Sequence, residues 1–324
     1  MKVLIVSNQG LNKDGIGNPI LYRMTASIAK DNRIDNIKFQ PVSNSISSFF
    51  QIRKIVKNYD LIHIHFGGLY ALILRGLLIG KKVKSFITFH GTDIHAKAIK
   101  SAKSRKEIIK IKLNQYCSFL SLFLFDRSGF VSEDMIQYIP PIIRNATKRK
   151  FFIQSLGVNY DLFKPIDKAK AWNHLNLQPN KYVLFSDVSK TTIKRRDIAE
   201  NIVNNLKGYK ILVMSGVKPE DVPFYINASE FAILTSDEEG SPNIIREVLS
   251  LNKPFFSVCV GDAQKQLNGL VNSAIINRNP SIAAKTIEEK INQPYVDYTR
   301  SNLRNRLDFD TLCKNIVDLY EQSI

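Results

Sequence analysis

Short apolar runs alternate with longer amphipathic stretches through most of the chain. Lys2 to Ser7 reads as a buried strand, followed by a polar loop to Asn18 and a helix from about Pro19 to Lys30. Ile37 to Val42 predicts a short strand and Ile46 to Asn58 a helix. Asp60 to Phe66 is again a strand, with His63 and His65 two residues apart and so on one face. Gly67-Gly68 breaks it into a helix ending near Gly80. Then come a strand at Val83 to Phe89, a helix at Ile99 to Phe125, a strand at Gly129 to Val131, a short helix capped by Ser132, and a strand at Phe151 to Ile153. The pattern begins anew in the second half. Strands are expected at Tyr182–Phe185, Tyr209–Ser215, Phe231–Leu234 and Phe255–Val258, and helices at Asp197–Leu206, Pro219–Asn227 and Pro242–Leu251. Phe309 to Glu321 is an amphipathic C-terminal helix. Such alternation predicts two parallel, doubly wound sheets, whose ligands bind beyond the carboxyl ends of the strands. His65 and His90 both fall at such ends.

One stretch goes further than the pattern. Phe231-Ala232-Ile233-Leu234 leads into the acidic loop Ser236-Asp237-Glu238-Glu239, and Gly240-Ser241-Pro242 then opens a helix, with Ser241 suited to the cap and Pro242 to the first helical position. A helix start after a strand offers amides and the positive end of a dipole to an anion such as phosphate. Glu239 and Glu247 bracket it, seven residues lying between them. Amides for a diphosphate and carboxylates for hydroxyls together suit a nucleotide sugar.

Length and composition narrow the classes. At 324 residues and 44% hydrophobic, the chain can build two domains with sizeable cores. Met1 to Ser7 is too short an apolar run for a secretory signal, and the apolar window at Leu69–Ile79 is interrupted by Arg75, so no membrane-crossing helix is expected. Cys117, Cys259 and Cys313 have no metal spacing and fit a reduced, cytoplasmic protein. The net charge of +17 is one-sided: residues 1–150 carry 25 Lys and Arg against 9 Asp and Glu. That excess suits a polyanion. Its densest run, Lys97 to Lys112, precedes the apolar Phe119 to Phe125, which suits a helix on an anionic membrane surface at the cytoplasmic face.

The stretch Glu239-Gly240-Ser241-Pro242-Asn243 with Glu247, then Asn252-Lys253-Pro254 and Val260-Gly261-Asp262, resembles the E-x7-E signature of retaining GT-B glycosyltransferases of family-4 type. Thr88-Phe89-His90-Gly91 and Leu156-Gly157-Val158-Asn159 through Pro165 resemble two further segments of that family. The resemblance implies two facing Rossmann-like domains: an acceptor domain at 1–163, a nucleotide-sugar domain at 164–306, and a helix at 307–324 crossing back to the first. It also implies transfer of a hexose-type sugar from a nucleotide diphosphate sugar to a lipid-linked or membrane-associated glycan in cell-surface polysaccharide biosynthesis, with no metal or cofactor. By the same resemblance His90, Glu239 and Lys194 are the catalytic candidates. Gly15, Gly17, Lys190, Arg195, Gly240, Ser241, Pro242, Asn243, Ile244 and Glu247 are the donor-binding ones, Glu247 on the ribose. The chain departs from the family after the Tyr182 strand: Ser186-Asp187-Val188 has no Arg, and Lys194-Arg195 stands where Lys-Gly is usual, so Lys190 becomes the candidate for the missing cation.

Two other classes compete. His63, His65, His90 and His95 could ligate a divalent metal in a hydrolase. A basic nucleic-acid binder is the other; the chain has no helix-turn-helix, zinc or RNP signature, and no nucleic-acid partner is expected.

Overall fold

The computed structural model describes residues 1–8, 19–43, 45–95, 99, 104–155, 157–187, 192–293 and 308–324. The chain divides into two compact units, Met1–Leu156 with Phe309–Ile324, and Gly157–Asp308. The first crossing thus precedes the sequence-based boundary at residue 163. The reason is burial: Val158, Tyr160 and Phe163 enter the core of the second unit.

In the first unit, β1 (Lys2–Ser7), β2 (Asn36–Pro41), β3 (Leu61–His65), β4 (Lys84–Phe89), β5 (Arg127–Phe130) and β6 (Phe151–Ile153) form one parallel sheet in the order β2-β1-β3-β4-β5-β6. Helices α1 (Pro19–Ile28), α2 (Ile46–Ile55), α3 (Leu69–Leu77), α4 (Arg105–Leu124) and α5 (Pro141–Thr147) lie among them. The chain moves from β1 outward to β2, then back past β1 to β3 and on in one direction. Right-handed crossovers therefore put α1 on one face of the sheet and α2, α3 and α4 on the other. The two cores agree: Leu21, Met24 and Ile28 of α1 pack with Ile316, Val317 and Tyr320, while Ile52, Leu74, Phe119 and Leu122 pack on the opposite side. The apolar run Phe119 to Phe125 is divided: Phe119, Leu122 and Phe125 are buried, while Leu120, Phe123 and Leu124 stay exposed.

In the second unit, after α6 (Lys168–His174), β7 (Lys181–Ser186), β8 (Tyr209–Met214), β9 (Ser229–Leu234), β10 (Phe255–Ser257) and β11 (Ala274–Ile275) form a parallel sheet ordered β11-β10-β9-β7-β8. Helices α7 (Arg196–Asn204), α8 (Val222–Ala228), α9 (Asn243–Ser250), α10 (Ala263–Leu267) and α11 (Pro280–Ile291) complete it. Helix α12 (Phe309–Glu321) belongs to the first unit.

Strand order reverses direction between β1 and β3 in the first sheet, and between β7 and β9 in the second. Such switch points open a crevice beyond the carboxyl ends of the strands. His65 is in register with Ser7 and Thr88 at the first of them. Asp187 and Thr235 follow the two strands that flank the second.

Candidate functional site

In the second unit the loop after β9 and the segment before α7 are stitched together. The Asp237 amide donates to the Ile193 carbonyl at 2.8 Å, and the Thr235 hydroxyl reaches the carbonyls of Lys194 at 3.0 Å and Arg195 at 2.9 Å. This closure brings Lys194 Nζ to Glu239 Oε1 at 2.6 Å, both side chains mostly covered. Ser236 Oγ donates to the same carboxylate oxygen at 2.8 Å, fixing its direction. Arg195 takes a left-handed backbone, φ 51° and ψ 51°, as it caps α7. A non-glycine residue there costs conformational energy, a pattern that gathers at functional sites. Its guanidinium pairs with Asp197 at 2.8 Å and Asp237 at 3.5 Å, and Arg278 also reaches Asp237, at 2.9 Å. Those carboxylates raise the Arg195 pKa, through the Asp197 hydrogen bond first.

The helix after Glu239 starts one residue later than the sequence pattern predicts. Pro242 itself is the cap, at φ −69° and ψ 112°, and α9 begins at Asn243 with no side-chain cap. Ser241 is diverted elsewhere. Its hydroxyl donates to Asp262 Oδ2 at 2.7 Å and accepts from Arg246. Arg246 also reaches Asn243 Oδ1 at 3.0 Å and Asp262 at 3.4 Å. The Asn243 and Ile244 amides, at the first two helical positions, have no partner within the helix and remain available to an anion. Gly261 seals this arrangement. At φ +54° a side chain is strained, and a Cβ would stand 2.5 Å from the Gly240 carbonyl oxygen. Glu247 lies in the second turn of α9, half-buried. Gly15, Gly17 and Lys190 lie outside the described residues.

In the first unit, His90 follows β4, half-buried, its ring stacked on Phe66 with centroids 4.1 Å apart. Phe66 is itself held at φ 71°. His90 Nε2 meets His65 Nδ1 at 3.0 Å, and His65 stacks on His63 at 4.4 Å. His63 is held from both sides, Nε2 to Thr88 Oγ1 at 2.8 Å and Nδ1 to Tyr320 Oη at 2.6 Å. Thr88 gives its own proton to Gln154 Oε1 at 2.6 Å. It must therefore accept from His63, which fixes His63 as the neutral Nε2–H tautomer with Nδ1 accepting from Tyr320. Asp93 is a brace: its carboxylate takes the amides of Gly67 at 2.8 Å, His90 at 3.0 Å and Gly91 at 2.9 Å, tying the loops after β3 and β4 together.

Burial pushes His63 and His90 down to about 3 from an ordinary 6.5, with the neighbouring His90 charge adding to the effect at His63, and it pushes His65 well below its usual range. The unfolded chain then binds more protons than the folded one between those values. Stability of the first unit falls as pH drops below about 6.5, by up to about 1.4 kcal/mol per pH unit for each histidine. Calorimetry checks this; a first-unit melting midpoint that is the same at about pH 7 and pH 5 contradicts it.

The four-histidine metal reading finds no support in this geometry. Both nitrogens of His63 are engaged, and His65 spends one on His90. The His95 ring packs on Tyr138. Among the described residues no three His, Cys, Asp or Glu side chains gather as a metal site. Arg246, Arg278 and Tyr320 were not marked by the sequence reading. Arg246 alone had a local signal, three residues after Asn243 on the same helical face.

Residues 2–121 match the family model described as Glycosyl transferase 4-like. A comparison with curated proteins finds no match in sequence. Solved structures share the fold along the whole chain. Sucrose-phosphate synthase from Thermosynechococcus elongatus superposes with a TM-score of 0.79 at 13% identity, covering 99% of each chain. Anabaena HepE in complex with UDP-glucose gives 0.77 at 12% identity, covering 99% of this chain and 100% of that one. A glycosyltransferase from Rickettsia africae ESF-5 gives 0.71 at 14%, covering 99% and 98%. The chain, with one parallel sheet in each unit, thus has the GT-B fold.

Proposed function

We propose that this chain, glycosyl transferase 4-like over residues 2–121 and GT-B in fold, is a retaining glycosyltransferase that takes a sugar from a nucleotide diphosphate sugar. One observation carries the reading: the Lys194–Glu239 pair stands beside the uncapped start of α9 at the switch point of the second sheet. The amides of Asn243 and Ile244 take the diphosphate. Lys194 supplies a fixed cation for the charge that grows on the leaving phosphate, its side chain mostly covered. Glu239 receives sugar hydroxyls and is held in place by Ser236. Glu247 takes the ribose. His90 of the first unit serves, by the family resemblance, as a neutral hydrogen-bonding group for the acceptor, in keeping with its depressed pKa. The departing phosphate accepts the proton of the attacking hydroxyl on the same face, which retains configuration without a protein nucleophile. Anabaena HepE was solved with UDP and with UDP-glucose, which supports a uridine nucleotide as the first donor to try. The acceptor is a lipid-linked or membrane-associated glycan in cell-surface polysaccharide assembly, a reading that rests on the family resemblance and the basic first half of the chain.

The test is thermal unfolding with UDP, GDP, ADP and their sugars. A nucleotide at 100 times its dissociation constant adds about 2.7 kcal/mol, a shift of several degrees. Stabilisation by one nucleotide diphosphate, lost in Glu247→Ala, is the expected result. A melting point indifferent to every nucleotide sinks the donor reading. UDP-N-acetylglucosamine 2-epimerase from Neisseria meningitidis shares the fold at a TM-score of 0.61, so product analysis must find transfer and no epimerised sugar.

A further inference from the structure

The apolar side chains that the first core does not use gather along one helix. The buried side of α4 is Cys117, Ser118, Phe119, Ser121 and Leu122. On its other side Ile109 (64% exposed), Leu113 (53%), Tyr116 (66%), Leu120 (54%) and Phe123 (47%) follow one another at alternating steps of four and three residues. That spacing makes a continuous stripe along an α-helix. Helix α3 lies alongside: the Leu69 amide reaches Asn114 Oδ1 at 3.4 Å, and Arg75 Nε donates to the Leu124 carbonyl at 2.7 Å. Leu69 and Ile73 of α3 are exposed as well, and so is Ile142 of α5, which packs on α4 from elsewhere in the unit. An exposed apolar face of this extent marks a surface that another body covers.

The charge on the same helix says which body. Arg105, Lys106, Lys110 and Lys112 are all exposed, and Glu107 is the one acid of α4. Lys148 and Arg149, just after α5, are exposed too. We propose that this face of the first unit docks on an anionic lipid surface, with α4 lying in the headgroup region. The stripe enters the acyl boundary and the flanking cations meet the headgroups. A second copy of the chain fits worse, because pairing the stripes would set one row of cations against another. Among the described residues no helix is long and apolar enough to cross a membrane, so α4 lies on the surface. Each basic residue near an anionic leaflet strengthens partitioning about fivefold.

The full chain is floated with vesicles of phosphatidylcholine alone or phosphatidylcholine mixed with phosphatidylglycerol. Partitioning at least about tenfold stronger onto the mixed vesicles is expected. A Leu113→Gln, Leu120→Gln double variant, its side chains exposed and its fold checked by circular dichroism, loses about tenfold. Lys106→Glu with Lys110→Glu loses more and weakens the salt dependence. Equal binding to both vesicle types, no binding, or a double variant that binds as well as the parent overturns the proposal. So does a dimer in light scattering that the leucine variant dissociates, which gives the stripe to a second copy. A chain that gains thermal stability with its nucleotide but ignores vesicles loses the docking surface and keeps the donor site; the reverse outcome loses the donor site alone.

Discussion

Replacing Lys194 with Ala lowers turnover by about 10²- to 10³-fold, the loss seen when one preorganised partner of developing charge is removed. The side chain is held at 2.6 Å from Glu239 by a loop that three hydrogen bonds stitch in place, so its position is set before a donor arrives. That preorganisation is what makes a cation effective at a leaving phosphate; a mobile surface lysine gives little. The melting point of the free protein moves little, because Glu239 keeps its bond from Ser236 and some access to water. Release of nucleotide diphosphate from the donor that the melting screen selects is the readout. Arg at this position keeps the charge but not the point contact, and restores part of the rate. Turnover within threefold of the parent removes Lys194 from the chemistry.

The largest loss of stability falls on Arg246. Its side chain is 4% exposed and its partner Asp262 9%, and Ser241, Asn243 and Asp262 are all tied to it. Burial lowers the Arg246 pKa, while Asp262 and Glu247 hold it up. Arg246→Ala leaves Asp262 buried without its cation, which costs about 3–5 kcal/mol. Each kcal/mol moves the midpoint of a unit of this size by about 2–4 °C, so the second unit melts about 10 °C lower. Calorimetry reads this directly. The double variant Arg246→Met, Asp262→Leu recovers most of the loss, because no buried charge is left over. A single variant that loses less than about 1 kcal/mol contradicts the burial argument. The same experiment separates scaffold from donor contact, since Arg246 fixes Ser241 and Asn243 at the start of α9.

Much of the fold that local pattern can encode was legible, although α6, capped by Asp167, and α11, with its Asn279 cap and Pro280 start, were passed over. β6 and α12 fall where periodicity places them, Phe151–Ile153 and Phe309–Glu321, and the strand–loop–helix of β9 and α9 stands out by composition alone. Three kinds of feature were not. The two-residue strand β11 is too short to carry a period. The contacts that hold the histidines span long separations: Tyr320 meets His63 across 257 residues, and no local rule connects them. Helix α4 has apolar residues on both sides, so periodicity alone could not say that Phe119 and Leu122 go inward while Leu113, Tyr116 and Leu120 stay out. At the site, Ser241 looked like the cap because serine prefers that position. Its bond to Asp262, 21 residues later, outweighs the preference and hands the cap to Pro242.

The last sixteen residues of the chain, Phe309–Ile324, belong to the first unit, whose core they fill with Cys313, Ile316, Val317 and Tyr320. During synthesis the second unit is therefore the first to be covalently whole. The first unit waits for α12, its His63 lacking the Tyr320 hydroxyl until the final turns of that helix leave the ribosome. Domains usually mature in the order in which they are made; here that order is inverted. A nonsense mutation just before Phe309 would leave the second unit intact and the first with an open core, exposed to proteases.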